Sequence, residues 1–358
     1  MPRSAPPFRA DHVGSLLRPQ RLLQGREDFA ADRISADELK QIEDDSIREV
    51  VRMQEDVGLQ SASDGEFRRA SWHMDFIYEL EGVSKAEDDL VVHFHNAEGD
   101  LDYTPAALKV DGKIDLNEPT FGEHFEFLAD AVTTATPKLT IPSPSMVHYR
   151  GGAAAIDPDV YPDQDEFWSD LTSAYAKQVQ MVHELGCTYL QFDDTSLAYL
   201  NDPNQRKMMS ERGEDAEHLH VSYIRHINEA LADKPEGITI TTHMCRGNFR
   251  SSWVAEGGYD FVAEALFNDL QVDGFFLEYD DERSGGFEPL KYVTKGKKVV
   301  LGLVSSKLPE LEKKDMLKRR IEAASRSTGS SSSTTTTAPG ASSRCVSSPR
   351  ASGSSSAW

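Results

Sequence analysis

The apolar positions of this chain come in two textures that take turns. Short, nearly continuous β-branched or aliphatic runs alternate with longer stretches in which apolar residues recur every three or four positions. The first texture suits strands covered on both faces, the second amphipathic helices. Strands are predicted over 10–15, 59–63, 138–144, 188–194, 238–244, 274–278 and 298–304. Helices are predicted over 35–57, 167–185, 221–232, 259–270 and 309–326. The first of these helices is announced most clearly. Ser35-Ala36-Asp37-Glu38 has the form of a capping box, Leu39, Ile42, Ile47, Val50, Val51 and Val57 follow at roughly helical spacing, and Gly58 stops the run. Between residues 90 and 116 the texture changes. Val91-Val92-His93-Phe94-His95 alternates, and Asp111-Gly112 carries a hairpin-turn signal, so an antiparallel insertion is expected after the second strand. His93 and His95 share a face there but have no Cys or carboxylate at a metal-binding spacing, which favours a surface strand. Helix, glycine, strand, then acid is the rhythm of a parallel α/β fold, and the repeat suits a (β/α)₈ barrel.

Polar residues gather at the predicted strand ends. Ser15, Glu66, Asp193, His243, Cys245 and Glu278 all stand there. In a barrel those ends converge on one face, where active sites lie. Ile238-Thr239-Ile240-Thr241-Thr242 is a β-branched run that leads directly into His243-Met244-Cys245. Residues i and i+2 of a strand point the same way, so the imidazole and the thiol share a face. A borderline-soft ion such as zinc takes that pair, and Glu278 on the next strand supplies a third, hard ligand. Asp64-Gly65-Glu66-Phe67-Arg68-Arg69 bunches carboxylates and arginines past a strand end, as ligand sites of α/β folds do, or as a solvated turn does.

Charge and cysteine content narrow the class. Thirty-eight Lys and Arg against 60 Asp and Glu leave a net charge of −22, which repels phosphate backbones and argues against a nucleic-acid partner. Cys187, Cys245 and Cys345 form no disulfide framework, in keeping with a reducing cytoplasm. Cys187 opens a strand and is expected to be a small core residue. No run has the length of a signal-peptide core or a membrane span, so a soluble cytoplasmic protein is expected.

Thr242-His243-Met244-Cys245 followed by Phe276-Leu277-Glu278 resembles the cobalamin-independent methionine synthase family, in the short form of its C-terminal catalytic barrel. Val13-Gly14-Ser15, Asp64-Gly65-Glu66 and Leu190-Gln191-Phe192-Asp193 stand in the order of that family's amino-acid-binding motifs. The resemblance spans roughly residues 8 to 326. It implies a zinc ion held by His243, Cys245 and Glu278. It also implies homocysteine with its carboxylate at Ser15 and its amino group at Glu66 and Asp193. The expected reaction is methyl transfer to the homocysteine thiolate, giving methionine. The donor would be of the methyltetrahydrofolate type or a methylated corrinoid protein. The family's proton-donating histidine after the seventh strand has no counterpart in Val304-Ser305-Ser306-Lys307, where Lys307 is the remaining candidate. The folate-stacking tryptophan of the family has no clear counterpart in 141–149.

After Arg326 the sequence turns into Ser, Thr, Gly, Ala and Pro with no Leu, Ile, Phe, Asp or Glu. Such a composition cannot bury a core. The expected organisation is therefore a barrel over 1–326, incomplete at its C-terminal side, and a disordered tail over 327–358 that replaces the eighth strand. A natural flexible tail and a reading-frame shift near Arg326 both give this pattern. The abruptness, just where a required element is due, favours the shift. Cys345 lies in that tail with no strand around it and is not assigned to the metal. Two rival functions follow: alkyl transfer to another thiol such as coenzyme M, and an inactive truncated barrel.

Overall fold

The computed structural model describes residues 5–86, 92–96, 99–103, 107–248, 252–305 and 310–328. In chain order the strands are β1 (Ser61–Ala62), β2 (Glu81–Ala86), β3 (Val92–Asn96), β4 (Gly99–Tyr103), β5 (Ala107–Asp115), β6 (Thr136–Pro137), β7 (Leu139–Pro142), β8 (Tyr189–Asp194), β9 (Thr239–Met244), β10 (Gly274–Glu278) and β11 (Lys298–Gly302). Five of them form one parallel sheet in the order β11-β10-β9-β8-β7, and β1 pairs with β6 in a second, two-stranded parallel unit. The fold is thus α/β with a parallel sheet. Among the described residues the strands do not join into one closed ladder, and no eighth parallel strand follows β11.

The alternation within the strands explains the layers. Leu190 and Phe192, Ile240 and Met244, Phe275 and Leu277, Val299 and Leu301 belong to the large core beneath the helices. The residues between them face the other way, where Tyr189, Phe276 and Val300 form a small inner cluster with Val13. Both faces are buried, as a parallel sheet requires. Helices Gln164–Glu184 and Leu219–Ala230 pack side by side on the outer face. No helix among the described residues is long and apolar enough to cross a membrane.

Several sequence expectations hold closely. Ser35 accepts from the Glu38 amide while Glu38 reaches back to the Ser35 amide, starting the helix Ala36–Asp56. Gly58, with φ 84°, follows its end. β10 spans the residues expected of it.

Others are corrected. Segment 10–15 is not a strand. Its polar groups are met by side chains instead: the Gly14 amide donates to His12 Nδ1, Gln191 Nε2 donates to the Val13 carbonyl and Ser63 Oγ to the Gly14 carbonyl. Those three groups are thereby lost to a ladder. Asp111-Gly112 is not a turn. It lies inside β5, whose antiparallel partner is β2, with a register shift between Glu81 and Val83. A Cβ on Gly82 would stand 2.4 Å from the Gly112 carbonyl oxygen. The two glycines are therefore a close approach of strands, a use of glycine that sequence cannot tell from a turn. The antiparallel insertion itself is present, as the pairs β2–β5 and β3–β4. The side chains of His93 and His95 lie outside the described residues, as do Lys307 and Cys345.

Candidate active site

The register of the parallel sheet decides which side chains meet. Asp193 of β8 is paired with His243 of β9, and His243 with Phe276 of β10. One residue beyond the Leu277–Met244 pair, Glu278 comes level with Cys245. Asp193, His243, Cys245 and Glu278 thus follow one another across adjacent strand ends, on the face opposite the helix-covered core.

Asp193 Oδ1 accepts from Gln191 Nε2 at 2.7 Å and lies 2.9 Å from His243 Nδ1. The tautomer that suits this carboxylate carries its proton on Nδ1 and offers the Nε2 lone pair. Asp194, one residue on, points to the outer face. There it accepts from the hydroxyls of Ser143, Ser145 and Ser196 and from the Leu197 amide, a structural role.

Glu66 approaches Asp193 from the other side. Its backbone is in the left-handed region, φ 59°, directly after Gly65 at φ 71°. That conformation is uncommon for a residue with a Cβ. It is held by the Asp64 carboxylate, which accepts the Glu66 amide at 2.8 Å, and by the Arg69 amide, which donates to the Glu66 carbonyl. Arg18 Nη2 spans the carbonyls of Glu66 and Arg69 at 2.9 and 2.7 Å and staples the turn from outside. Glu66 Oε1 accepts from Thr140 Oγ1 at 2.8 Å and stands 3.6 Å from Arg69 Nη1. Burial pushes the Glu66 carboxyl above its ordinary range; Arg69 counters this and the nearby Asp193 charge adds to it. Two carboxylates in one desolvated place form a natural seat for a cation.

Gly14 closes this end. A Cβ there would meet Thr140 Cγ2 at 2.5 Å and Glu66 Oε1 at 3.4 Å, and φ is +111°. Only glycine lets the backbone come so near, and the exposed Ser15 follows at the rim.

At the other end a turn absent from the sequence expectations takes part. Arg246, Gly247 and Asn248 follow Cys245 directly. The Arg246 amide donates to Glu278 Oε2 at 3.1 Å, and Asn248 Nδ2 lies 3.1 Å from the same oxygen and 3.4 Å from Cys245 Sγ. The buried Arg246 guanidinium donates to the carbonyls of Gly257 and Glu278 and stacks over Tyr259 at 4.6 Å. Gly247 has φ +76°, and a Cβ there would stand 1.9 Å from Tyr199 Oη. The signal for this turn was a glycine two residues past a His-x-Cys pair.

Cys187 is fully buried and its thiol is pushed up to about 12 by burial, as a core cysteine should be. The donor chemistry of His243, Cys245 and Glu278 (imidazole, thiol, carboxylate) suits zinc. Among the described residues, however, no three His, Cys, Asp or Glu side chains are gathered closely enough to hold an ion. His243 is turned to Asp193, and the Asn248 amide lies between Cys245 and Glu278.

The catalytic-domain signature of the cobalamin-independent synthases matches residues 8–333. The chain belongs to that family. Uncharacterized protein YxjG of Bacillus subtilis is 46% identical over 327 residues, covering 90% of this chain and 84% of its own length. The methionine synthase of Pyrococcus abyssi is 25% identical over 312 residues, covering 87% of this chain and 80% of its own. Among solved structures, a Listeria monocytogenes protein provisionally named a vitamin-B12-independent methionine synthase superposes with a TM-score of 0.75. It is 41% identical, with 94% of this chain and 92% of that one covered.

Proposed function

We propose that this chain transfers a methyl group to the sulfur of homocysteine, giving methionine, with zinc held by His243, Cys245 and Glu278. The observation that carries the reading is the juxtaposition within one family fold: a buried carboxylate pair, Glu66 and Asp193, joined by the Asp193–His243 hydrogen bond to an N, S, O donor set on the next strand ends. The strands belong to a (β/α)₈ barrel whose eighth position this chain fills differently or not at all. The barrel is read over 1–326 with 327–358 as a separate segment, and the protein is read as working in the cytoplasm.

Each residue then has a task. Glu66 and Asp193 face the ammonium of the amino acid, whose charge relieves their mutual repulsion. The Gly14-Ser15 turn receives its carboxylate. Fixing both ends aims the sulfur at the donor strands and removes the rotational freedom that a free thiol would otherwise lose in the transition state. Zinc, when bound, lowers the proton affinity of a thiol brought to it, so that the sulfur reacts as a thiolate. The S–C bond forms as the donor–C bond breaks, and the thiol proton leaves to solvent. The donor is a methyltetrahydrofolate or a methylated corrinoid; Lys307 is the candidate proton source for the leaving group. Coenzyme M fits less well, because two carboxylates repel a sulfonate.

Zinc content of the purified chain tests the reading, measured beside His243→Ala and Cys245→Ala. Close to one zinc per chain, lost in both variants, is expected, together with homocysteine binding that Glu66→Gln weakens. A cooperatively melting chain that takes up no zinc would refute it. A chain that does not melt cooperatively would support the inactive-fragment reading instead.

A further inference from the structure

The turn after β1 carries both a carboxylate of the site and a charge that offsets it. Arg69 is 2% exposed. Its Nη2 donates to the Thr140 carbonyl at 2.7 Å, and Thr140 Oγ1 in turn donates to Glu66 Oε1 at 2.8 Å. Arg69 Nη1 stands 3.6 Å from that same oxygen, an ion pair between two buried groups. The guanidinium also lies 4.2 Å from the centre of the Phe121 ring, and Phe121 is itself in the left-handed region at φ 62°. An aromatic residue keeps that conformation only where its surroundings impose it. A guanidinium cannot shed its proton on burial as an ammonium can. Of the other charges near the pair, Lys138 is matched by Asp11 at 3.4 Å, and Arg18 and Asp64 offset each other within the turn. Glu66, Asp193 and Arg69 are left, and two negative charges with one positive charge leave a single negative charge.

We infer that Arg69 is a positioning residue that sets the charge of the ligand: it cancels one of the carboxylates Glu66 and Asp193, so that the pair seats one ammonium and discriminates against a ligand that lacks it. The inference rests on the reading above that this pair faces the amino group of an amino acid. Arg69 does not touch that group; it acts through Glu66. Without Arg69, two like charges share one desolvated place with nothing to offset them. Without the Glu66 charge, Arg69 and Asp193 cancel, and the attraction for an ammonium goes. Removing both charges leaves Asp193 alone and returns the place to a single negative charge.

The test measures, on the full chain, the affinity for L-methionine and for 4-(methylthio)butanoate, the same molecule without its amino group. Neither carries a thiol proton, so the sulfur end contributes alike to both. The quantity to read is the ratio of the two affinities, in which a change in folded fraction or at the carboxylate end cancels. Glu66→Gln should lower the ratio about tenfold, the loss of one charged hydrogen bond. Adding Arg69→Met to Glu66→Gln should restore most of it. A guanidinium that only packs the turn gives a double variant whose ratio is no higher than that of Glu66→Gln. That result would overturn the inference and leave the amino-acid reading standing. In urea unfolding the double variant should be more stable than Arg69→Met alone, which leaves Glu66 buried without its counter-charge. A double variant that is the less stable of the two would also overturn the inference. A cooperatively melting parent that binds methionine no better than the analogue would remove the ammonium seat, and the role of Arg69 with it.

Discussion

Protonation of His12 should unlatch the Gly14-Ser15 end of the candidate site. His12 is buried, and its Nδ1 accepts the Gly14 amide at 3.1 Å, which shapes the turn that presents Ser15. That bond requires an unprotonated Nδ1. Burial, and then the Lys138 charge, push the imidazole down to about 4, with Asp11 opposing them. In the unfolded chain the group has its ordinary value near 6.5. Its folded value is depressed, so its contribution to stability is fully present above pH 6.5. It is lost as pH falls from there to about 4, where the native ring at last takes its proton. The gap amounts to about 3 kcal/mol, a substantial fraction of a typical domain stability. Urea unfolding measured from pH 7.5 to 4 on the parent and on His12→Asn isolates it. Asn places an oxygen acceptor near the Nδ1 position and has no proton to gain. Carboxylates contribute to both curves alike, so the difference between them is the quantity to read. It should grow by about 3 kcal/mol across that window in favour of the variant. Parallel curves would refute the argument, as would an imidazole NMR titration with a midpoint near 6.5.

Two further outcomes follow from buried contacts. Lys138 and Asp11 are both fully buried with Nζ 3.4 Å from Oδ1, and Asp11 also accepts from Tyr189, Ser61 and the amides of Phe8 and His12. Lys138→Met should cost about 3 kcal/mol in urea unfolding, and adding Asp11→Asn should recover part of it; a loss under 1 kcal/mol would show the pair to be inconsequential. Gly247→Ala forces a Cβ toward Tyr199 in a left-handed backbone, so it should lower stability by about 2–4 kcal/mol and reduce zinc content, and unchanged zinc content would detach the turn from the donor set.

What the sequence determined by itself is what short-range periodicity encodes. The β-branched run ending in His243-Met244-Cys245 makes a strand because its side chains fit nothing else so well, and the i, i+2 spacing places the imidazole and the thiol on one face. Ser35 and Glu38 specify a helix start within four residues. Phe275 and Leu277 face outward while Phe276 and Glu278 face inward, because a strand alternates whatever surrounds it. The tertiary structure decided everything that depends on register and on contacts between distant segments. Asp193 touches His243 because β8 and β9 align at those residues, 50 positions apart. The Asp11–Lys138 pair joins residues 127 apart, and each charge is tolerated only because the other is there. Segment 10–15 has the composition of a strand yet forms none, since the side chains of His12, Ser63 and Gln191 take up backbone groups of Val13 and Gly14. Asn248 sits in an unremarkable turn in the sequence and meets Glu278, 30 residues on, only through the tertiary fold. Local dihedral preference is written in neighbouring residues, whereas burial and pairing arise only when the strands are laid side by side.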